Sequence, residues 1–413
     1  MASLVTVTMG ILAIVVSLPA ALETFSPGEF VIRRQIGQLG FATETEWQYN
    51  RGGVPVRPNP LDPTQPKRTV EASGNVVRLF DAKLDDDSRV LLKEFVGDAR
   101  SIGGNEGAMY EQLYERATMA GQVNGRPPQL GTLLGTMMAD ASFTTDSFRA
   151  QWESALPGIL PPSADGLWLV FRWEGLSTVA GFPRQPQQRA WFDFDGRAAI
   201  AARRVYTKNA CRRILETVGW LHGQGIVHRS LGSSSLILNT YDQTVSSDSL
   251  QVKLIDLGFS TTASRISPEE VAAAMARGAP SPLDVIPFLT RADDMHALTY
   301  VLLELVLGSA CPPPVADPVT GRLNGEGSEA PSSDLQTLKR LVEDVFSDDV
   351  CGEFRAYCAN EAAWAPAVAL LDESGGAGWR IVQQLAKCRD ASSEEAEGAT
   401  CQRLLESPWF ADT

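Results

Sequence analysis

The tightest constraint on what this chain can fold into comes from two neighbouring segments, LHGQGIVHRSLGSSSLILN (221–239) and QVKLIDLGFS (251–260). Each carries apolar flanks around a short polar centre: His228, Arg229 and Ser230 in the first, Asp256 and Gly258 in the second. Apolar flanks bury, so the polar centres are held as fixed loops on a packed core rather than left in solvent. A helical pattern over 205–224 leads into the first segment, and a second one over 294–307 follows the pair. The chain has 413 residues, enough for two lobes plus additions but too many for one ordinary core. With 44% hydrophobic residues it can bury sizeable cores, which excludes wholesale disorder.

Upstream, strand patterns dominate. FVIRRQIG (30–37), VVRLFDAKL (76–84), RVLLKEF (89–95) and LWLVFRW (167–173) read as strands, with the acidic turn 85–88 closing a hairpin. Residues 105–117 place Met109, Tyr110, Leu113 and Tyr114 at helical spacing. Downstream, helical patterns recur at 333–346 and 377–388. A strand-rich portion followed by a helical one predicts an α+β, two-lobed plan. Loops rich in Pro, Gly and Ser interrupt it, marking insertions at 44–73, 138–165 and 309–332. The expected division is 1–23 as anchor or signal, 24–174 as the first lobe and 175–413 as the second.

The run LVTVTMGILAIVVSLPAAL (4–22) is uncharged and, as a helix, as long as a hydrocarbon core is thick. No Lys or Arg precedes it, whereas Arg33, Arg34, Arg51 and Arg57 follow, which favours a membrane anchor over a cleaved signal. The net charge of -14 argues against nucleic acid as a partner. Three histidines leave little room for a His-based metal site, and six cysteines without a CxxC pair suit buried thiols.

Read in order, the short motifs converge. Lys93 stands as V-x-x-K on a strand, and Glu106 opens a helical pattern with Tyr110 and Leu113 at its fourth and seventh positions onward. The H-R-S-L and D-L-G segments follow, then DMHALTYVLLELVLG (294–308) and the closing LLESPWF (404–410). In this order and spacing the chain resembles the protein-kinase superfamily from about residue 30 to its end. LWLVFRWEG further resembles the hinge of the chloroplast thylakoid kinases of the light-harvesting, state-transition type, which carry an N-terminal span. The resemblance implies that Lys93 pairs nucleotide phosphates, that Glu106 is its helix partner and that Asp256 holds Mg. It makes Phe171 the gatekeeper, with Arg172, Trp173 and Glu174 as the hinge against adenine, and Gly37 part of the phosphate loop. His228, Arg229, Leu257 and Asp294 take structural roles. ATP and Mg become candidate cofactors, and photosynthetic membrane proteins candidate partners of a domain on the stromal side.

The same alignment exposes departures. Ser230 stands where the family carries the catalytic aspartate, Gly232 where it carries a lysine, and Ser235 where an asparagine holds the second magnesium. A serine hydroxyl cannot take the substrate's proton near neutral pH, and losing a positioned base costs about 10²–10⁴ in rate. Leu39 and Ala42 replace two loop glycines, which brings side chains toward the phosphates. The expectation is therefore a pseudokinase acting as scaffold or regulator. The alternatives are an active serine/threonine kinase with a degenerate loop and a nucleotide sensor without transfer.

Overall fold

The computed structural model describes residues 22–40, 76–139, 141–185, 196–310, 333–390 and 398–411. The insertion at 44–73 and most of that at 309–332 lie outside the described residues. The expected transmembrane helix is corrected. Among the described residues no helix is long and apolar enough to cross a membrane. Residues 1–21, which hold nearly all of the uncharged run, lie outside the described residues. Glu23, grouped with the anchor in the sequence, begins a strand instead. The described residues thus form a two-lobed α+β fold.

The small lobe is built on a sheet of β1 (Glu23–Phe25), β2 (Phe30–Gly40), β3 (Val76–Leu84), β4 (Arg89–Val96), β5 (Leu133–Met138) and β6 (Leu167–Arg172), with α1 (Ala99–Met119) crossing after β4. Strand order is β1-β5-β6-β4-β3-β2, antiparallel except for the parallel pair β1–β5. β1 approaches β5 so closely that a Cβ on Gly135 would lie 2.0 Å from the Glu23 carbonyl oxygen, so only glycine fits there. α1 buries Met109, Tyr110, Leu113, Tyr114 and Ala117, the face its spacing dictates.

The opposite sheet face is covered by the 138–165 insertion, which contains α2 (Asp146–Ala155), capped by Thr145. Phe143, Trp152 and Leu156 pack on Phe80, Trp168 and Val170. Beneath them lies a buried ion pair, Arg78 to Glu94, at 2.5 Å. Arg78 also donates to the carbonyls of Leu160 (2.8 Å) and Pro161 (3.1 Å), while Glu94 accepts the Ser163 N–H at 2.8 Å. The insertion is therefore a strap fastened to the sheet.

The large lobe opens with α3 (Arg197–Gly223), followed by β7 (Ile226–Val227), β8 (Leu236–Leu238), β9 (Val252–Leu254) and β10 (Thr261–Thr262). Two small antiparallel pairs result, β7–β10 and β8–β9. Then come α4 (Pro268–Ala276), α5 (Val285–Leu289) and α6 (His296–Ala310). The chain ends with α7 (Leu335–Lys339), α8 (Arg355–Asn360), α9 (Ala365–Leu371), α10 (Glu373–Lys387) and α11 (Cys401–Leu405). α6, 15 residues long, is the buried axis, contacted by α3, α7, α9 and α10. Its apolar character comes from Leu298, Val301, Leu302, Leu305 and Val306, all buried.

Candidate nucleotide cleft and catalytic loop

Lys93 sits mid-strand in β4 between Leu79 of β3 and Leu169 of β6. Strand alternation turns Glu94 toward the strap and Lys93 toward α1. The Lys93 ammonium donates to Glu106 Oε2 at 2.7 Å and to Asp256 Oδ1 at 2.6 Å. Burial works against the Lys93 charge, but Asp256 and then Glu106 outweigh it and hold the ammonium above its ordinary range. The sequence-expected trio is thus brought together. Two further contacts hold α1 against the D-L-G turn. Asn105 donates to the carbonyls of Gly258 and Ser260, each at 2.9 Å. A Cβ on Gly258 would come within 2.4 Å of Ile102 Cγ2, so that glycine lets α1 close.

Behind the cleft, Asp294 is completely buried yet accepts three bonds. They come from the His228 N–H (2.7 Å), the Arg229 N–H (2.8 Å) and His222 Nε2 (2.9 Å). Arg229 needs this support because its φ of 64° is left-handed, as is that of Asp256 at 64°. His228 Nε2 donates to the Ile255 carbonyl at 3.0 Å, which joins the two motif segments. Tyr110, Leu257 and His228 are all buried, and Tyr110 packs edge-on against Phe171 with centroids 5.5 Å apart.

The replaced positions are chemically spent. Ser235 Oγ donates to the Gly232 carbonyl at 2.8 Å and accepts the Gly232 N–H at 3.0 Å. Its hydroxyl therefore closes a local turn and is buried. Ser230 brings no carboxylate, and its N–H donates to His228 Nδ1 at 3.3 Å. A magnesium-bound nucleotide would find one carboxylate, Asp256, already shared with Lys93. Magnesium takes one or two carboxylates plus phosphates, so these residues fit a single ion and not a pair.

At the hinge the residues are engaged with one another. Trp173 lies under the Arg89 guanidinium, 3.6 Å from ring centroid to Cζ. Glu174 accepts from the Thr132 N–H (3.2 Å) and hydroxyl (2.9 Å) through Oε1 and from Lys253 (2.8 Å) through Oε2. Burial tends to raise the Glu174 carboxyl, but the Lys253 and Thr132 bonds prevail and lower it. Glu174 is thus a staple joining the residue just before β5, the hinge and β9. Gly37 pairs with Leu79 in the β2–β3 ladder. The residues that sequence reasoning missed are Asn105, Thr132, Lys253 and Glu270, whose partners lie between 41 and 155 residues away. No local signal marks such pairs.

No family model and no curated protein matches the sequence. Among solved structures, this chain is similar to the crystal structure of a Stt7 homolog from Micromonas algae soaked with ATP. The TM-score is 0.51 at 20% identity, over 81% of this chain and 88% of that one. The chain has the protein-kinase fold. Its likeness to a Stt7 homolog agrees with the resemblance read from the motifs, and the two-lobed plan matches the sequence expectation.

Proposed function

We propose that this chain is a kinase-fold protein that has lost phosphoryl transfer and acts as a scaffold or regulator of protein partners. One observation carries the reading: the Ser235 hydroxyl is consumed by the Gly232 backbone, beside a Ser230 that offers no carboxylate. Base and second metal ligand are therefore missing together. The preserved residues serve the closed shape: Lys93 with Glu106 and Asp256, and Asp294 beneath His228 and Arg229. The hinge resemblance to thylakoid kinases, and a Stt7 homolog among similar structures, support a place in the chloroplast with photosynthetic membrane proteins as partners.

A second reading, nucleotide sensing without transfer, draws on the Lys93–Glu106–Asp256 trio, whose ammonium could meet phosphates. In that case Phe171, Trp173 and Glu174 would border the adenine, Gly37 the phosphates, and Asp256 would hold one magnesium ion. The two readings share one test, transfer from labelled ATP. Both expect none above the background of the Lys93→Ala variant.

A further inference from the structure

Arg229 follows His228 in the catalytic loop, and its side chain reaches the segment after D-L-G. Its guanidinium is already taken. Arg229 Nη1 donates to Glu270 Oε1, and Nε lies 4.0 Å from Asp293 Oδ2. Asp293 is in turn held by Arg277 at 2.5 Å. Glu270 stands in the first turn of α4 and Arg277 caps its end, so both ends of that helix are tied. Glu270 has a second duty: its Oε2 accepts the Ser267 N–H at 2.9 Å, while the Ser267 hydroxyl accepts the Glu270 N–H at 3.2 Å. This reciprocal capping box orients the carboxylate. Arg277 also lies over the Phe288 ring at 5.6 Å, which ties the latch to α5.

We infer that Glu270, Arg229, Asp293 and Arg277 form a built-in latch that orders the segment after D-L-G without phosphorylation. The chain of alternating charges runs from the catalytic loop, through both ends of α4, to the turn that carries Asp294. Arg229 also donates its N–H to Asp294, so latch and loop share one residue. Ser260, Thr261 and Thr262, the first hydroxyls after D-L-G, are buried, the two threonines as β10 against β7, whereas Ser264 is exposed. This inference deepens the proposed function by naming how its site is regulated, and it rests on the fold rather than on the absence of transfer.

The test is hydrogen exchange over residues 261–277 in the full chain, before and after phosphatase treatment, with Glu270→Gln, Arg229→Gln and the double variant. Ser267→Ala removes the cap hydroxyl but leaves the Arg229 contact, and so separates capping from latching. The latch predicts that phosphatase changes nothing and that each latch variant raises exchange about fivefold or more. The double variant should be no worse than either single one. Ser267→Ala should raise exchange less than Glu270→Gln. Faster exchange after phosphatase, additive single variants, or wild-type exchange in Glu270→Gln would overturn it. If transfer from ATP were found while these exchange results held, the latch would stand and the proposed function alone would fail.

Discussion

Asp294 offers the sharpest structural test, because one buried carboxylate holds the left-handed Arg229 and the His228 backbone at once. Asp294→Asn keeps the size but leaves one acceptor oxygen where two were used. One backbone N–H then faces an amide N–H inside the core. Losing a hydrogen bond to a charged acceptor costs about 1.5–3 kcal/mol, and a buried unpaired donor about 1–3 more. The sum is roughly 3–6 kcal/mol. Unfolding entropy of about 2.1 cal/mol/K per residue over 413 residues gives about 0.9 kcal/mol/K. The midpoint should therefore fall by about 3–7 °C in calorimetry. Exchange at the His228 and Arg229 amides should accelerate in the same variant. A midpoint within about 1 °C of wild type, with both amides still protected, would refute the assigned role of Asp294.

Two further outcomes follow from buried charge. Arg78→Ala leaves Glu94 buried and the strap carbonyls of Leu160 and Pro161 undonated, and should destabilise by about 3–5 kcal/mol. Urea unfolding followed by tryptophan emission checks this, since Trp152 and Trp168 lie in the affected core. In the large lobe, burial tends to raise the Glu343 carboxyl, but bonds from Tyr300, His296 and Arg389 prevail and lower it to about 2 from 4.5. A depressed carboxyl stabilises fully above its unfolded value and less as pH falls toward its folded one. Glu343→Gln should therefore flatten the loss of stability between pH 4.5 and 2 in acid-unfolding curves. An unchanged slope would remove Glu343 from that role.

Much of the plan was legible because each clue was local. Strand alternation around Lys93 and helical spacing from Glu106 to Leu113 place both residues on facing surfaces. The D-L-G glycine and Asp294 were legible for the same reason, since each sits in a short motif with apolar flanks. The strap was not legible. Its Trp152 and Phe143 read as part of a Pro- and Gly-containing insertion, and only the unmatched apolar face of Phe80 and Trp168 gives them a place. Glu174 was assigned to the hinge, yet its side chain binds Lys253, 79 residues away. Arg229 was assigned a structural role, yet the partner of its guanidinium, Glu270, lies 41 residues on. Long-range pairs of this kind leave no periodicity to read. The segment 4–22 shows the opposite limit: a hydrophobic run sets a length, not a destination.

Phosphoryl transfer from labelled ATP is the most direct measure of a kinase fold without its chemistry. Wild type, Lys93→Ala and a variant restoring Ser230→Asp, Gly232→Lys and Ser235→Asn would be compared on protein acceptors in single-turnover assays. Wild type should be indistinguishable from Lys93→Ala, and the restored variant, given its positioned base, should exceed both by about 10²-fold or more. Robust transfer by wild type, lost in Lys93→Ala, would contradict the central claim.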